Sequence, residues 1–203
     1  MKKNLTLLVI LLGIYSVSCA QTKTKSEFGF NIGFNTSATL DVLSTSTNGI
    51  GFNAGVSGDY YFSNRWSIKA KLSYDQKGWT QGVGLFGEPD GFETGHLTLN
   101  YLTVPLMANW HFGKTRNWFL DVGPYAGFLM NASLNNADIK PRFKSTDFGF
   151  AFGIGVKFPI AEKAKLFLEY DAQTSLTNIF NSSDFAYINL RAAFNVGVSF
   201  PIY

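Results

Sequence analysis

Residues Trp66–Asp75 read Trp-Ser-Ile-Lys-Ala-Lys-Leu-Ser-Tyr-Asp, with apolar side chains at the even positions and Ser, Lys or Asp at the odd positions. Successive side chains of a β-strand point to opposite faces, so this stretch predicts a strand with one apolar face and one charged face. The class of β-protein then depends on how many such strands the chain contains and on whether each face suits lipid, water or the protein interior.

Seven further stretches alternate in the same way after residue 27, which gives eight predicted strands. Their connections alternate in length, short around 63–65, 113–117 and 161–163 and long around 39–49, 77–96, 131–146 and 176–186. An even number of antiparallel strands with short turns at one end and long loops at the other is typical of outer-membrane barrels. We therefore predict an all-β, eight-stranded antiparallel up-and-down transmembrane β-barrel with both termini at the short-turn, periplasmic end. The seven apolar sets span 28–34, 52–62, 102–112, 118–128, 148–158, 166–172 and 188–202.

The composition agrees with this prediction and excludes several other classes. Of the 203 residues, 46% are hydrophobic and only 15% are charged, against a usual charged share of about 25%. The 20 Phe and 20 Gly residues favour strands and turns over helices. A net charge of +3 without a long run of Lys or Arg argues against nucleic acid as a partner. One cysteine cannot form an internal disulfide.

The first twenty residues have the pattern of a secretory signal peptide. Lysines at positions 2 and 3 precede an apolar run over 5–14, and Ser18-Cys19-Ala20 supplies the small residues that signal peptidase requires. We predict cleavage between Ala20 and Gln21, with 1–20 removed and 21–203 forming the barrel domain. A retained anchor is disfavoured because the run is about half the roughly 20 residues that span a bilayer. A lipoprotein signal with Cys19 as the first mature residue is the other alternative.

The two faces distinguish a membrane barrel from a soluble lipocalin-like barrel. The apolar face consists largely of bulky Phe, Trp, Leu and Tyr, whereas the polar face carries the charges and many glycines. Because an eight-stranded barrel has little interior room, the bulky face is expected to contact lipid, and a soluble sandwich or lipocalin is the alternative. Aromatic residues beside the short turns resemble an interfacial girdle, namely Phe62, Trp66, Trp110, Phe112, Trp118, Phe158, Phe200 and Tyr203.

The polar face is predicted to form an interior charge network. It carries five acids and five bases, and equal numbers indicate mutual pairing because unpaired charges in a narrow lumen are costly. We expect a plugged, salt-bridged interior, and a proton or ion path along the same side chains is the alternative. The ten residues are Asp59, Lys69, Lys71, Asp75, Asp121, Lys157, Lys165, Glu169, Asp171 and Arg191.

Two prolines conflict with uninterrupted strands. Pro105 and Pro124 fall in the middle of the fourth and fifth predicted strands, where a closed barrel has no free edge for a residue without an N–H. The tight turn over 113–117 brings the two positions nearly opposite each other. We therefore predict a shared bulge or a local gap in the hydrogen-bond ladder there.

No catalytic, metal or cofactor site is predicted, and the chain is not expected to be an enzyme. His96 and His111 lie at opposite ends of the fourth strand, roughly 50 Å apart at ~3.3 Å per residue, so they cannot share a site. We expect His111 to be an interfacial or turn contact. His96, near Asp90 and Glu93, would suit a Ser/His lipid-modifying hydrolase similar to the small lipid A deacylases, but no Ser partner is recognisable. We expect the long outer loops to form the interaction surface. The longest, over 77–96, is interpreted as a mobile loop or a strand extension beyond the membrane, and a binding role for its aromatic residues is the alternative.

Six short motifs resemble the PorT-like outer-membrane β-barrel proteins of the Bacteroidetes, and the resemblance covers most of the chain after the signal peptide. It implies the barrel fold and an outer-membrane location, with the lipid bilayer and the barrel-assembly machinery as partners. It also implies secretion-system proteins as partners, since the family's namesake is similar to components needed for protein secretion and gliding. A structural or interaction protein of the envelope, a component of such an apparatus and a lipid-modifying enzyme are the three hypotheses. The motifs are 28–35 (FGFNIGFN), 73–78 (SYDQKG), 100–106 (NYLTVPL), 123–127 (GPYAG), 147–149 (DFG) and 175–179 (SLTNI).

Overall fold

The computed structural model describes residues 25–40, 49–80, 83–84, 92–93, 96–181 and 188–202. Each long strand pairs with its two neighbours in the chain, and the first pairs with the last, so the sheet closes. The predicted eight-stranded antiparallel barrel is therefore confirmed. The predicted signal peptide, its cleavage site at Ala20 and Gln21, and Tyr203 lie outside the described residues. The strands are β1 (Lys25–Leu40), β2 (Gly49–Tyr61), β3 (Trp66–Thr80), β4 (His96–Phe112), β5 (Trp118–Leu134), β6 (Thr146–Ala161), β7 (Ala164–Ser175) and β8 (Ile188–Ile202).

Several strands extend further toward the long loops than the apolar alternation predicted. β3 continues to Thr80, β4 begins at His96 and β5 continues to Leu134. Parts of the connections assigned to 77–96 and 131–146 are therefore strand. Two short strands, Val83–Gly84 and Phe92–Glu93, pair within the β3–β4 connection, and Ala137–Asp138 pairs with the end of β5 before a 3-10 turn at Lys140–Arg142. Nowhere in the described segments is there a helix long and apolar enough to cross a membrane.

The alternation places the apolar face outside and the polar face inside, as predicted. Phe30 and Phe52 are about half exposed, at 52% and 51%, whereas the adjacent Asn31 and Asn53 are buried. An exposed apolar belt of this extent is a liability in water but is the surface that a bilayer requires. Beside the short turns, the Trp110 ring lies 6.2 Å from that of Trp66 and 5.1 Å from that of Phe112, which is the expected aromatic girdle.

The glycines of the inner face accommodate aromatic rings as well as charges. Phe119 and Phe167 are buried inside the barrel. A Cβ on Gly155 would overlap the Phe119 ring, and one on Gly197 would overlap the Phe167 ring. These buried rings were not predicted from the sequence. Phe119 and Phe167 occupy inward positions of their strands. The interior of an eight-stranded barrel is so narrow that each ring fits only beside a glycine, which has no side chain.

Gly155→Ala is expected to destabilise the barrel by about 1–3 kcal/mol, because the added methyl group overlaps Phe119 in a filled interior. Gly58 is the matched control, since a Cβ there meets nothing within 4 Å, and Gly58→Ala is expected to have no measurable effect. Urea unfolding followed by the shift in gel mobility between folded and heated protein measures both. Equal stability of the two variants would show that the ring space next to Gly155 is not tightly filled.

Each proline lies at a local gap in a ladder, as predicted, but the two gaps lie in different ladders rather than being shared, and neither is a bulge. Pro105 lies opposite Tyr125, and the β4–β5 pairing stops there and resumes in the same register at Ala108 and Val122. The β3–β4 ladder has a second gap beside Pro105, between the Ala70–Leu106 and Ser73–Thr103 pairs. A residue in an antiparallel ladder directs its N–H and C=O toward one neighbouring strand, so each proline interrupts only one of the two ladders it adjoins.

Candidate functional site

A chain of alternating charges crosses the middle of the barrel. Lys69 Nζ lies 2.8 Å from Asp121 Oδ2 and 2.5 Å from Glu169 Oε1. Lys71 Nζ lies 3.0 Å from the other Glu169 oxygen and 3.1 Å from Asp171 Oδ2. The lysines are on β3 and the two acids beyond Asp121 are on β7, four strands away around the barrel. These ion pairs therefore connect opposite walls through the lumen.

Arg191 on β8 continues this chain toward the long-loop end. Its Nη1 contacts Asp171 Oδ1 and its Nη2 lies 2.6 Å from Asp75 Oδ1 on β3. Asn195 on the same strand donates to the other Asp171 oxygen at 2.7 Å. The central group thus comprises seven residues, Asp75, Asp121, Glu169, Asp171, Lys69, Lys71 and Arg191, and it is called the central charge layer below.

A second group lies nearer the short turns. Lys157 Nζ is 2.7 Å from Glu27 Oε2, 3.3 Å from Asp59 Oδ2 and 3.0 Å from the Tyr61 hydroxyl. Lys165, which is partly exposed at the rim, contacts the other Glu27 oxygen. Asp59 Oδ1 also accepts hydrogen bonds from Ser67 and Asn109. Every charge in this layer is therefore partnered.

All ten residues predicted from the sequence lie on the inner face with an ion-pair partner, but the structure divides them between these two layers. The sequence reasoning missed Glu27, Lys77 and Asp147, which are also buried inside. Glu27 and Asp147 each lie two residues before a glycine of the inner face, and Lys77 lies two residues after Asp75. The alternation of each strand therefore directs all three side chains inward. They were overlooked because they lie just beyond the apolar sets that defined the strands.

The prediction that His111 is an interfacial or turn contact is wrong. Its odd position on β4 directs the ring inward, where it is 3% exposed. Nε2 lies 3.3 Å from Ser67 Oγ, and the ring centroid lies 4.9 Å from that of Tyr61. This is not a catalytic triad, because Asp59 is hydrogen-bonded to the Ser67 hydroxyl rather than to the imidazole.

Asp147 forms a hydrogen-bonded hub inside the long-loop half of the barrel. Its Oδ1 accepts from Ser175 Oγ at 2.5 Å and Thr177 Oγ1 at 3.2 Å. Its Oδ2 accepts from the Tyr125 hydroxyl at 3.1 Å and Asn189 Nδ2 at 3.3 Å. One carboxylate on β6 therefore joins β5, β8 and the end of β7.

Lys77 adjoins this hub but does not hydrogen-bond to it. Its Nζ lies 3.9 Å from Asp147 Oδ2 and 4.9 Å and 5.4 Å from the ring centroids of Tyr101 and Tyr125. Within the described part of the chain it has no hydrogen-bond partner, because four other donors already occupy the Asp147 oxygens. Two aromatic faces and a nearby carboxylate therefore compensate its charge.

The hub brings together five of the six sequence motifs described above. Its members Lys77, Tyr101, Tyr125 and Asp147 come from four of the six motifs, and Ser175 with Thr177 comes from a fifth. These motifs are up to about a hundred residues apart in the sequence, at 73–78 and 175–179. Five of the six motifs thus meet in one three-dimensional cluster, which is called the Asp147 hub below.

Buried apolar side chains close the barrel beyond the hub. Leu97 and Leu99 project inward from β4, and Phe143 and Phe180 pack on each other with ring centroids 4.6 Å apart. A bulge between Asn100 and Tyr101 shifts the β4–β5 register, so that even-numbered residues of β5 beyond it face inward. The sequence reasoning did not predict this cap. Its members are Leu97, Leu99, Tyr101, Leu129, Ala132, Leu134, Phe143, Ile179 and Phe180.

The described ranges contain no group of three or more His, Cys, Asp or Glu residues arranged to hold a metal ion. From the short turns to the long loops, the described interior consists of the ion-paired layer around Lys157, the central charge layer, the Asp147 hub and the apolar cap.

Comparison with known proteins agrees with this architecture. A family described as outer membrane protein beta-barrel domain matches residues 19–181. No curated protein matches the chain. Three similar solved structures are outer-membrane or surface proteins of low sequence identity, and they show the fold alone. Neisserial surface protein A is 14% identical, with a TM-score of 0.51 over 85% of this chain and 96% of its own.

The other two structures give similar values. OprG from Pseudomonas aeruginosa is 14% identical, with a TM-score of 0.50 over 88% of this chain and 96% of its own. AlkL, whose structure was determined in lipid bilayers, is 11% identical, with a TM-score of 0.52 over 91% of this chain and 93% of its own. All three match over nearly their whole length.

Proposed function

Because the chain belongs to the outer membrane protein beta-barrel domain family, we propose that it is an integral outer-membrane barrel with a closed lumen. In this proposal it is a structural or interaction protein of the cell envelope, rather than a pore or an enzyme. Its outer wall contacts the bilayer, and its long loops form the end available to partners.

The central charge layer is the observation that carries this proposal. Its ion pairs connect β3 with β7 across the lumen, and the cavity left among Lys71, Asp121 and Asp171 measures only about 10 Å³. A single water molecule needs about that volume. The apolar cap provides a second barrier at the long-loop end. A hydrated solute would have to disrupt both.

Reconstituted in a planar lipid bilayer, the full-length protein is expected to give no stepwise conductance, because ion pairs connect opposite walls of the lumen and the cavity among them measures only about 10 Å³. A porin inserted under the same conditions serves as the positive control for reconstitution. Regular conductance steps, with an amplitude that varies with salt concentration, would support the ion-path alternative and contradict a closed lumen.

Processing and orientation are part of the proposal. Removal of residues 1–20 at the Ala20–Gln21 bond would leave the barrel domain 21–203, with both termini at the periplasmic end and the long loops outside. The short turns and the aromatic girdle lie at the end where β1 begins and β8 stops, and outer-membrane barrels have their short turns on the periplasmic side.

A PorT-like role in protein secretion or gliding is the second candidate. The convergence of five resembling motifs on the Asp147 hub supports it, because a buried cluster that binds Ser175 and Thr177 would fix the long-loop end to which a partner binds. Affinity purification of the tagged protein from outer membranes tests this role. Stable co-purification of secretion proteins favours it, and a solitary barrel contradicts it.

A lipid-modifying activity through His96 is the third candidate. Mass spectrometry of lipid A from cells that express the wild type or His96→Ala would detect such an activity. Identical lipid A profiles are expected if the barrel is not an enzyme, and a mass difference dependent on His96 would contradict that part of the proposal.

A further inference from the structure

A groove runs across the lipid-facing wall where three neighbouring strands carry small side chains. Thr36 on β1 pairs with Ala192 on β8, and Ala192 pairs in turn with Ala172 on β7. The bulky rings of Phe150 and Phe152 on β6 pair with Thr174 and Ala172 and form one border of the groove. The resulting apolar groove has a volume of about 460 Å³.

The surroundings of this groove indicate an acyl chain as its occupant. It lies on the same outward face as the exposed Phe34 and Phe194, whose rings lie 6.0 Å apart just below it. This face is continuous with the wall that contacts the bilayer. An unfilled groove would cost dispersion contacts, and the bilayer core contains hydrocarbon rather than water.

A basic segment lies directly beyond the groove at the long-loop end. Lys140, Arg142 and Lys144 fall within five residues. Two backbone hydrogen bonds attach this segment to the chain that follows β7, from Asn181 N to Arg142 O and from Lys144 N to Ile179 O. β6 then leads from Thr146 to Phe150 in four residues, roughly 13 Å at ~3.3 Å each, a distance suited to a lipid headgroup and the start of its chains.

The basic side chains are not neutralised by the described parts of the protein. None of the three forms an ion pair with a described residue, and Asp147 is occupied inside the barrel. Lys140 donates to the Met130 carbonyl, and Asp138 accepts from the Lys140 N–H. Arg142 is exposed and Lys144 is half-buried, so these two cations are the ones available to a phosphate.

We propose that this wall binds one phosphate-bearing acylated lipid of the leaflet at the long-loop end. An acyl chain occupies the groove over Ala172 and Ala192, and the headgroup phosphate binds Arg142 and Lys144. The guanidinium group of Arg142 can bind a phosphate with two hydrogen bonds. The site requires only that the barrel lies in the membrane, and it does not depend on whether the lumen is closed.

Native mass spectrometry of the delipidated full chain in detergent tests this site with two probes, diphosphoryl lipid A and uncharged dipalmitoylglycerol. We expect one bound lipid A, at least tenfold preferred over dipalmitoylglycerol. Arg142→Gln with Lys144→Gln should weaken lipid A binding roughly 30-fold and remove the preference. Ala172→Phe with Ala192→Phe should weaken the binding of both probes by filling the groove.

Two variants serve as controls. A double variant controls for the loss of charge, and a single variant controls for the added ring. Lys114→Gln with Arg116→Gln removes the same charges from the exposed turn at the opposite end, and Ala108→Phe adds a ring to the wall of β4. Both should bind as the wild type does. Equal binding of the two probes, or equal losses in the controls, would overturn the proposal. Loss of a protein dimer instead of a lipid adduct in the groove variant would assign the groove to contact between two copies.

Discussion

Glu169→Gln is expected to lower the free energy of unfolding by about 3–5 kcal/mol. Glu169 accepts ion pairs from both Lys69 and Lys71, and all three side chains are almost completely buried. The substitution preserves the shape of the side chain but removes one of the two acidic partners of both Lys69 and Lys71. Breaking a buried ion pair by removing one partner is strongly destabilising for this reason.

Urea titration of protein refolded into detergent, followed by the heat-dependent gel shift, measures this loss. Glu162→Gln in the exposed β6–β7 turn is the matched control and should stay within about 0.5 kcal/mol of the wild type. Adding Lys71→Met to Glu169→Gln restores the wild-type net charge of the layer and should recover part of the loss. If Glu169→Gln unfolds at the same urea concentration as Glu162→Gln, the lumen is hydrated and the layer is not a dry plug.

Asp147→Ala is expected to destabilise the barrel by a similar amount, about 3–5 kcal/mol. The substitution deprives four hydrogen-bond donors of their acceptor. It also leaves Lys77 buried without the carboxylate 3.9 Å away. Because Thr177 is one of those donors, the segment that follows β7 should loosen as well, and hydrogen–deuterium exchange over 175–181 should accelerate.

Asp138→Ala is the control for this prediction, because Asp138 is exposed and, among the described residues, accepts one hydrogen bond, from the Lys140 N–H at 2.9 Å. It should change stability by no more than about 1 kcal/mol. The double variant Asp147→Ala with Lys77→Met removes the uncompensated cation and should be more stable than Asp147→Ala alone. If both are equally unstable, Lys77 and Asp147 do not interact and the hub is only a set of hydrogen bonds.

The parity of β3 illustrates how much of the structure was predictable. Trp66, Ile68 and Tyr74 face outward while Lys69, Lys71 and Asp75 are buried inside, and repetition of this pattern in eight strands is sufficient for the barrel. The position of the proline gap also followed from the sequence, because one tight turn determines which residues of β4 and β5 are opposite each other.

Features beyond the bilayer were less predictable. Outside the membrane the outer face of a strand need not be apolar, so the alternation disappeared at Gln76 although β3 continues to Thr80. The bulge beside Asn100 reverses parity on β5 and directs Ala132 and Leu134 inward. Ion-pair partners were unpredictable for a different reason, since Lys69 and Glu169 are brought together by the closure of the barrel and not by any sequence spacing.

Chemical accessibility of the inner face tests the closed lumen most directly. In a chain that also carries Cys19→Ser, so that the introduced thiol is the only one, Ser73→Cys places a thiol at a buried inward position of β3 and Asn64→Cys places one in an exposed turn. In the folded, membrane-inserted protein, a small water-soluble thiol reagent should modify Asn64→Cys rapidly and Ser73→Cys only after unfolding. Modification of both thiols at similar rates in the folded protein would contradict a sealed interior.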